Sequence, residues 1–282
     1  MDCLYSLNSH CTVHGMLDSS ALPRSVVHAI KSCNASSSVH SSVEEAWNLR
    51  QTGHRQSLFN RIASNYDHLN DLLSLGQHRV WKRMAVSWSG AKAGDIVLDI
   101  CCGSGDLTFL LAEKVGVRGK VTGLDFANEH LTIASERQAG SSNACYRNIE
   151  WVQGDALNLP FADSSFNAVT VGYGLRNVVD ITQALREIYR VLGTGSTVSI
   201  LDFNRSSNST TTIFIQDWVL DNVVVPVANG YGLGDDYAYL KTSIANFPTG
   251  KQQEKLALEV GFSRARHYEI AGGLMGVLVA TH

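Results

Sequence analysis

From about residue 96 onward, short apolar runs alternate with amphipathic stretches, and the alternation predicts the architecture. Residues 96–100, reading IVLDI, are β-branched and apolar over a length that suits one strand buried on both faces. A helical pattern opens at 107–111, a second apolar run fills 120–124, and 128–138 is helical again. Strands are expected at 149–153, 168–172 and 197–203, with a helix over 181–192 whose Ile181, Leu185, Ile188 and Leu192 share one face. A last helix over 250–260 leads to two strands, 265–270 and 275–280. Strands separated by helices of about ten to fifteen residues give a parallel, doubly wound sheet.

Three segments stand apart from this rhythm. Ahead of the first strand, Leu69, Leu72, Leu73, Val80, Trp81 and Met84 fall at helical spacings interrupted near Gly76, which predicts two or three amphipathic helices before the sheet. Residues 205–247 break the alternation. Their apolar stretch 213–228 is too short to span a bilayer and carries Asp217, Asp221 and Pro226, so it reads as an amphipathic cap over the sheet. Residues 1–50 are serine-rich, poor in acids and without a continuous apolar core. That pattern disfavours a secretory signal and fits an organelle transit peptide, with a merely disordered tail as the alternative, leaving 51–282 as the folded domain.

Composition adds exclusions. A net charge of −3 over 282 residues leaves no basic footprint for nucleic acid. The six cysteines include no CxxC spacing, so neither a zinc site nor a disulfide framework is expected, and no other metal cluster is apparent.

The candidate chemistry lies where the first strand ends. In VLDICCGSGDLT the apolar run gives way to Gly103 and Gly105 and then to a helix, a turn in which backbone approaches a ligand closely. Asp125, twenty residues past Gly105, closes the second strand where a carboxylate meets ribose hydroxyls. A dinucleotide-binding turn would carry a third glycine where Thr108 stands, and Asp106 at the helix start would repel a pyrophosphate. A ligand with a ribose and no phosphates fits better, and S-adenosylmethionine is the common one. Asp99, Asp125, Asp155, Gly172 and Asp202 all fall at carboxyl ends of predicted strands, the side on which such sheets bind ligands.

Three further stretches carry a resemblance. YDHLNDLLSLGQHRVW (66–81), GYGLRNVVD (172–180) and RVLGTGSTVSILDFN (190–204) resemble the signatures of the ubiquinone/menaquinone-biosynthesis C-methyltransferases. DDYAYLKTSIANFPTG (235–250) is similar to that family's cap region. Gly193, Thr194 and Ser196 stand where the family usually has a basic residue, proline and glycine, and Asp202 stands for glutamate. CCGSGDL, SILDFN, DNVVVPVA and HYEIAGG look like a plant chloroplast branch, which strengthens the transit-peptide reading and implies a chloroplast location.

The resemblance implies a class I S-adenosylmethionine-dependent methyltransferase, an α/β Rossmann-like fold. Its sheet would be mostly parallel and seven-stranded, with N-terminal helices and a helical cap insertion. Asp99, Gly103, Ser104 and Gly105 would cradle the methionine end of the cofactor, Asp125 the ribose, Asp155 and Ala156 the adenine, and Gly172 would face the acceptor. The acceptor implied is a lipophilic prenylated naphthoquinol, 2-phytyl-1,4-naphthoquinol, methylated at a ring carbon, and such an acceptor admits a peripheral contact with a thylakoid or envelope membrane. Arg176 and Asn177 would polarise the developing phenolate, with Tyr66 and Asp202 completing the pocket. Three other readings stay open on the residues: another prenylated quinol such as a menaquinol or ubiquinol precursor, a cofactor-binding module without catalysis, and a dehydrogenase, which Thr108 and Asp106 disfavour.

Overall fold

The computed structural model describes residues 76–205 and 241–282. The expected transit peptide, Tyr66, the spacing of Leu69, Leu72 and Leu73, and the cap from 206 to 240 lie outside the described residues.

Five strands run parallel: β1 (Ile96–Ile100), β2 (Lys120–Asp125), β3 (Ile149–Gln153), β4 (Phe166–Gly172) and β5 (Leu192–Phe203). With β6 (Arg264–Ile270) and β7 (Met275–Thr281) they form one seven-stranded sheet in the order β3-β2-β1-β4-β5-β7-β6. The sheet is mostly parallel, as expected, and β7 is the exception, antiparallel to both β5 and β6. Only a short turn around Ala271–Gly273 joins β6 to β7. A parallel connection needs a crossover of a dozen residues or more, so this pair must form a hairpin.

Helices α1 (Gln77–Trp88), α2 (Asp106–Val115), α3 (Asn128–Ala139), α4 (Ile181–Val191) and α5 (Gly250–Val260) cover the sheet. Because strand side chains alternate, each buried strand feeds two cores. Leu98, Ile100, Val169 and Ile200 pack with Leu185 and Ile188 of α4 and Ala257 of α5. Val97, Val121 and Leu201 pack on the other face with Ala85 and Val86 of α1 and Leu111 and Val115 of α2. Asp180 caps α4 by accepting from Gln183 N at 2.9 Å, and Thr249 with Gln252 closes a capping box on α5.

Two sequence expectations are corrected. Leu192 opens β5 rather than closing α4: its amide still bonds to Ile188 O, but its backbone is extended and it pairs with Phe166. It is fully buried, so the helical apolar pattern runs on for one residue past the helix. Val80 is 47% exposed, and the buried positions of α1 are His78, Lys82, Ala85 and Val86. Gly76, with φ +74°, immediately precedes α1. Of the residues that depart from the family signature, Gly193, Thr194 and Ser196 fall in an excursion of β5. Leu192 pairs with Phe166 and Thr197 with Ala168, and the loop between them is closed by Gly195 N donating to His282 O and His282 N to Ser196 O.

Candidate active site

A cavity opens at the carboxyl ends of β1, β2 and β4, walled by the turn after β1, the end of β2 and the loop after β4. The turn after β1 is held from both sides. Gly103 N donates to Asp125 Oδ2 at 2.8 Å, and Ala127 N donates to Asp125 Oδ1 at 2.9 Å. Two backbone donors thus fix the carboxylate of Asp125 where β2 meets the cavity, and its remaining lone pairs can serve a ligand. Gly105, with φ +94°, has no room for a side chain, since a Cβ there would stand 2.7 Å from the Trp151 ring. Gly172 ends β4 as a flat patch of wall, where a Cβ would collide with Leu107.

The structure brings Gly103, Ser104, Asp125, Asp155, Ala156, Gly172 and Asn177 together on this wall, as the sequence predicts. Asp155 is oriented by a local turn in which Leu157 N donates to its Oδ1 at 2.9 Å. Ser104 takes both a backbone and a hydroxyl bond from Arg137 Nη1, at 2.8 and 3.0 Å.

Four expected site residues are not on this wall: Gly105, which is turned against Trp151, and Asp99, Arg176 and Asp202. Asp99 is fully buried and does not reach the wall: it accepts from Thr108 Oγ1 at 2.6 Å and from Thr170 Oγ1 at 2.7 Å. Thr108, the residue that breaks the dinucleotide pattern, is therefore the latch between α2 and β1. Arg176 and Asp202 form a buried ion pair at 2.7 Å. The same Nη1 of Arg176 donates to Tyr173 O at 2.7 Å, and the guanidinium lies 5.0 Å from the Phe203 ring centroid. Asp202 is 3% exposed, and a carboxylate so buried requires a cation, which Arg176 supplies from the neighbouring strand end. Among the described residues the cavity wall is given Asn177 and neither of these two. Direct polarisation of a phenolate by Arg176 is thus replaced by support of the 173–177 turn.

Lys82 was not singled out in the sequence. It lies on the buried face of α1 and lines the cavity. Its Nζ donates to Asp106 Oδ2 at 2.6 Å and sits 5.8 Å from the Tyr173 ring centroid. Arg137 Nη2 reaches the other oxygen of Asp106 at 2.8 Å. Burial alone would raise the Asp106 carboxyl, but Lys82 and Arg137 outweigh it and hold the group down at about 2. The charge of Asp106 is therefore neutralised locally, and its repulsion of a pyrophosphate is weaker than the sequence suggests. The signal for Lys82 was its position: with His78, Ala85 and Val86 it occupies the helix stripe that a core face requires.

Burial raises the Asp99 carboxyl from its ordinary 3.8 to about 7, against the lowering by its two threonine hydrogen bonds and with a further upward push from Asp125. An acid with a folded pKa above its unfolded value stays protonated in the native state while the unfolded chain has ionised. Stability therefore falls as pH rises from about 4 to about 7 and levels off above, with a drop on the order of 4 kcal/mol. Asp99→Asn, which cannot ionise, should lose that component. Urea denaturation of both proteins at pH 5, 6, 7 and 8 checks this; parallel stability curves would contradict it.

The chain matches the ubiE/COQ5 methyltransferase family over residues 48–282. It is 65% identical over 226 residues to the 2-phytyl-1,4-beta-naphthoquinone methyltransferase, chloroplastic, of Arabidopsis thaliana, covering 80% of this chain and 86% of that one. It is 55% identical over 225 residues to the 2-phytyl-1,4-naphtoquinone methyltransferase of Synechocystis, covering 80% and 93%. Its fold is similar to the crystal structure of a SAM dependent methyltransferase from Aquifex aeolicus, with a TM-score of 0.54 at 16% identity over 76% of this chain and 96% of that one.

Fold and cavity together define a class I S-adenosylmethionine-dependent methyltransferase. The chain belongs to the ubiE/COQ5 methyltransferase family, and S-adenosylmethionine is its cofactor. The site suits that molecule: an acid pre-oriented by two backbone donors faces the cavity, and the bare Gly172 lets Leu107 of α2 pack against the end of β4 in its wall.

Proposed function

We propose that this protein methylates a ring carbon of 2-phytyl-1,4-naphthoquinol, the methylation step of phylloquinone biosynthesis. The observation that carries the reading is the 65% identity, over most of both chains, to the Arabidopsis relative of that name. The cavity supports it with an apolar wall of Leu107, Leu157, Val178 and Val179 beside the acids, suited to a lipophilic ring.

When bound, S-adenosylmethionine supplies an electrophilic methyl carbon on a sulfonium. Asp125 accepts from the ribose hydroxyls, Asp155 and Ala156 meet the adenine, and the Gly103–Gly105 turn takes the methionine end, with Gly172 on the acceptor side. The apolar wall holds the quinol ring and excludes water, which favours a near-attack arrangement. Loss of a hydroxyl proton makes the adjacent ring carbon nucleophilic, and the amide of Asn177 can donate to the oxygen on which charge grows. Arg176, paired with Asp202, positions the turn that carries Asn177.

Radiolabelled methyl transfer to a panel of reduced naphthoquinols and benzoquinols tests the reading. Label should enter 2-phytyl-1,4-naphthoquinol fastest. A preference for a menaquinol or ubiquinol precursor would overturn the substrate, and absence of transfer by a protein that binds S-adenosylhomocysteine would mark a cofactor-binding module. Within the same reading, Asp125→Ala should weaken S-adenosylhomocysteine by roughly 1.5–3 kcal/mol, about 10- to 100-fold in Kd. Unchanged calorimetric affinity in a folded variant would remove Asp125 from the site.

The reading extends to a plastid location. The Arabidopsis relative's name carries the word chloroplastic, and the family match begins at residue 48, behind the serine-rich, acid-poor segment.

A further inference from the structure

Two charged side chains meet on the cavity wall where α1 approaches the turn after β1, and the roles given above use neither of them. Lys82 is 7% exposed, a degree of burial that an ammonium tolerates only when it is paired. Asp106, at the first position of α2, accepts from Lys82 Nζ on one oxygen and from Arg137 Nη2 on the other. Both Lys82 and Asp106 line the cavity. Two cations thus share one carboxylate beside the glycine turn. An ammonium has three donors; Asp106 takes one, and the Tyr173 ring lies 5.8 Å away on another side.

We propose that Lys82 and Asp106 together read the amino-acid end of the cofactor, Lys82 bonding its α-carboxylate and Asp106 its α-ammonium. The inference rests on the cavity being the S-adenosylmethionine site. A zwitterion presents one acceptor group and one donor group a bond or two apart, and an adjacent Lys–Asp pair is its complement. Asp125 is held by the backbone of Gly103 on the other side of the same turn, so the ribose and the amino-acid end would be recognised by separate charged groups. Lys82 comes from α1, so the N-terminal helix contributes a ligand contact in addition to packing on the sheet.

A purely structural role for the pair, stapling α1 to α2, makes a different prediction, and ligand chemistry separates the two. The probes are S-adenosylhomocysteine and its decarboxylated counterpart, S-adenosyl-3-thiopropylamine, titrated calorimetrically into the full chain without any acceptor. The wild-type protein should bind S-adenosylhomocysteine roughly 10- to 100-fold more tightly. Lys82→Gln should lose that preference by weakening S-adenosylhomocysteine while leaving the decarboxylated compound within about threefold. Should Lys82→Gln not fold, Lys82→Arg carries the test, since a retained cation should retain the preference. Equal binding of the two probes by the wild type, a preference that survives Lys82→Gln, or one that vanishes in a folded Lys82→Arg would overturn the inference. Failure of the wild type to bind either probe would fault the cofactor reading itself.

Discussion

Arg176→Met is expected to cost about 3–5 kcal/mol of stability. The substitution leaves Asp202, 3% exposed, without the cation that sits 2.7 Å from it, and an uncompensated buried carboxylate is among the most destabilising states a single change can produce. Removing both charges should cost much less. In Arg176→Met/Asp202→Asn the single oxygen at 202 keeps the amide of Phe203, bonded to Oδ1 at 2.8 Å, and only the weaker bond from the amide of Arg176 to Oδ2, at 3.2 Å, is lost. Urea denaturation of the two single variants and the double variant gives the coupling directly. A single Arg176→Met change within 1 kcal/mol of the parent would show that the pair carries little of the turn's stability. The double variant, refolded but without its guanidinium, should bind S-adenosylhomocysteine normally and turn over slowly, because the 173–177 turn that presents Asn177 has lost an anchor at Tyr173 O.

Oxidation state of the acceptor should produce the largest effect on turnover. A quinone ring is electron-poor and offers no nucleophilic carbon, whereas the reduced ring delocalises charge from an ionised hydroxyl onto the carbon beside it. Methyl transfer to 2-phytyl-1,4-naphthoquinol under reductant should exceed transfer to the pre-oxidised quinone by roughly 100-fold or more, at least 2.7 kcal/mol in the barrier. Anaerobic single-turnover assays with each form separate chemistry from binding. Equal rates, with reduction in the assay excluded, would rule out carbon attack by a quinol.

Individual residues show how far the sequence could be read. The central strand β1 was legible because a parallel strand buried on both faces is a nearly continuous apolar run, and 96–100 matches it residue for residue; 149–153 matches the edge strand β3 as closely. Depth within the sheet was not. Asp99 and Asp125 look equivalent as strand-end acids, yet the register pairs Asp99 with Gly123, two residues short of Asp125. That offset takes Asp99 out of the cavity and under α2, and nothing local in the sequence encodes the register of neighbouring strands. Arg176 posed a related problem. Its glycine-flanked motif located the turn correctly, but the direction of its guanidinium is set by Asp202, 26 positions later in the chain. Lys82 was hidden by habit: a lysine in a helix reads as solvated, and only the burial of its neighbours His78, Ala85 and Val86 reveals the face on which it lies.

The place of β7 bears on how the polypeptide is made. This strand is the last in sequence, and it lies between β5 and β6 in the interior of the sheet. Until residues 275–281 leave the ribosome, β5 has an open edge and β6 has no partner among the strands already synthesised. Closing the gap joins Thr197 to Thr281, a contact of long sequence separation, and contacts of that range form slowly. A nascent chain is therefore exposed to edge-to-edge association until residues 275–281 are available, the period in which a chaperone would have the most to protect. A frameshift or nick within those residues would remove a central plank of the sheet, with consequences out of proportion to the length lost.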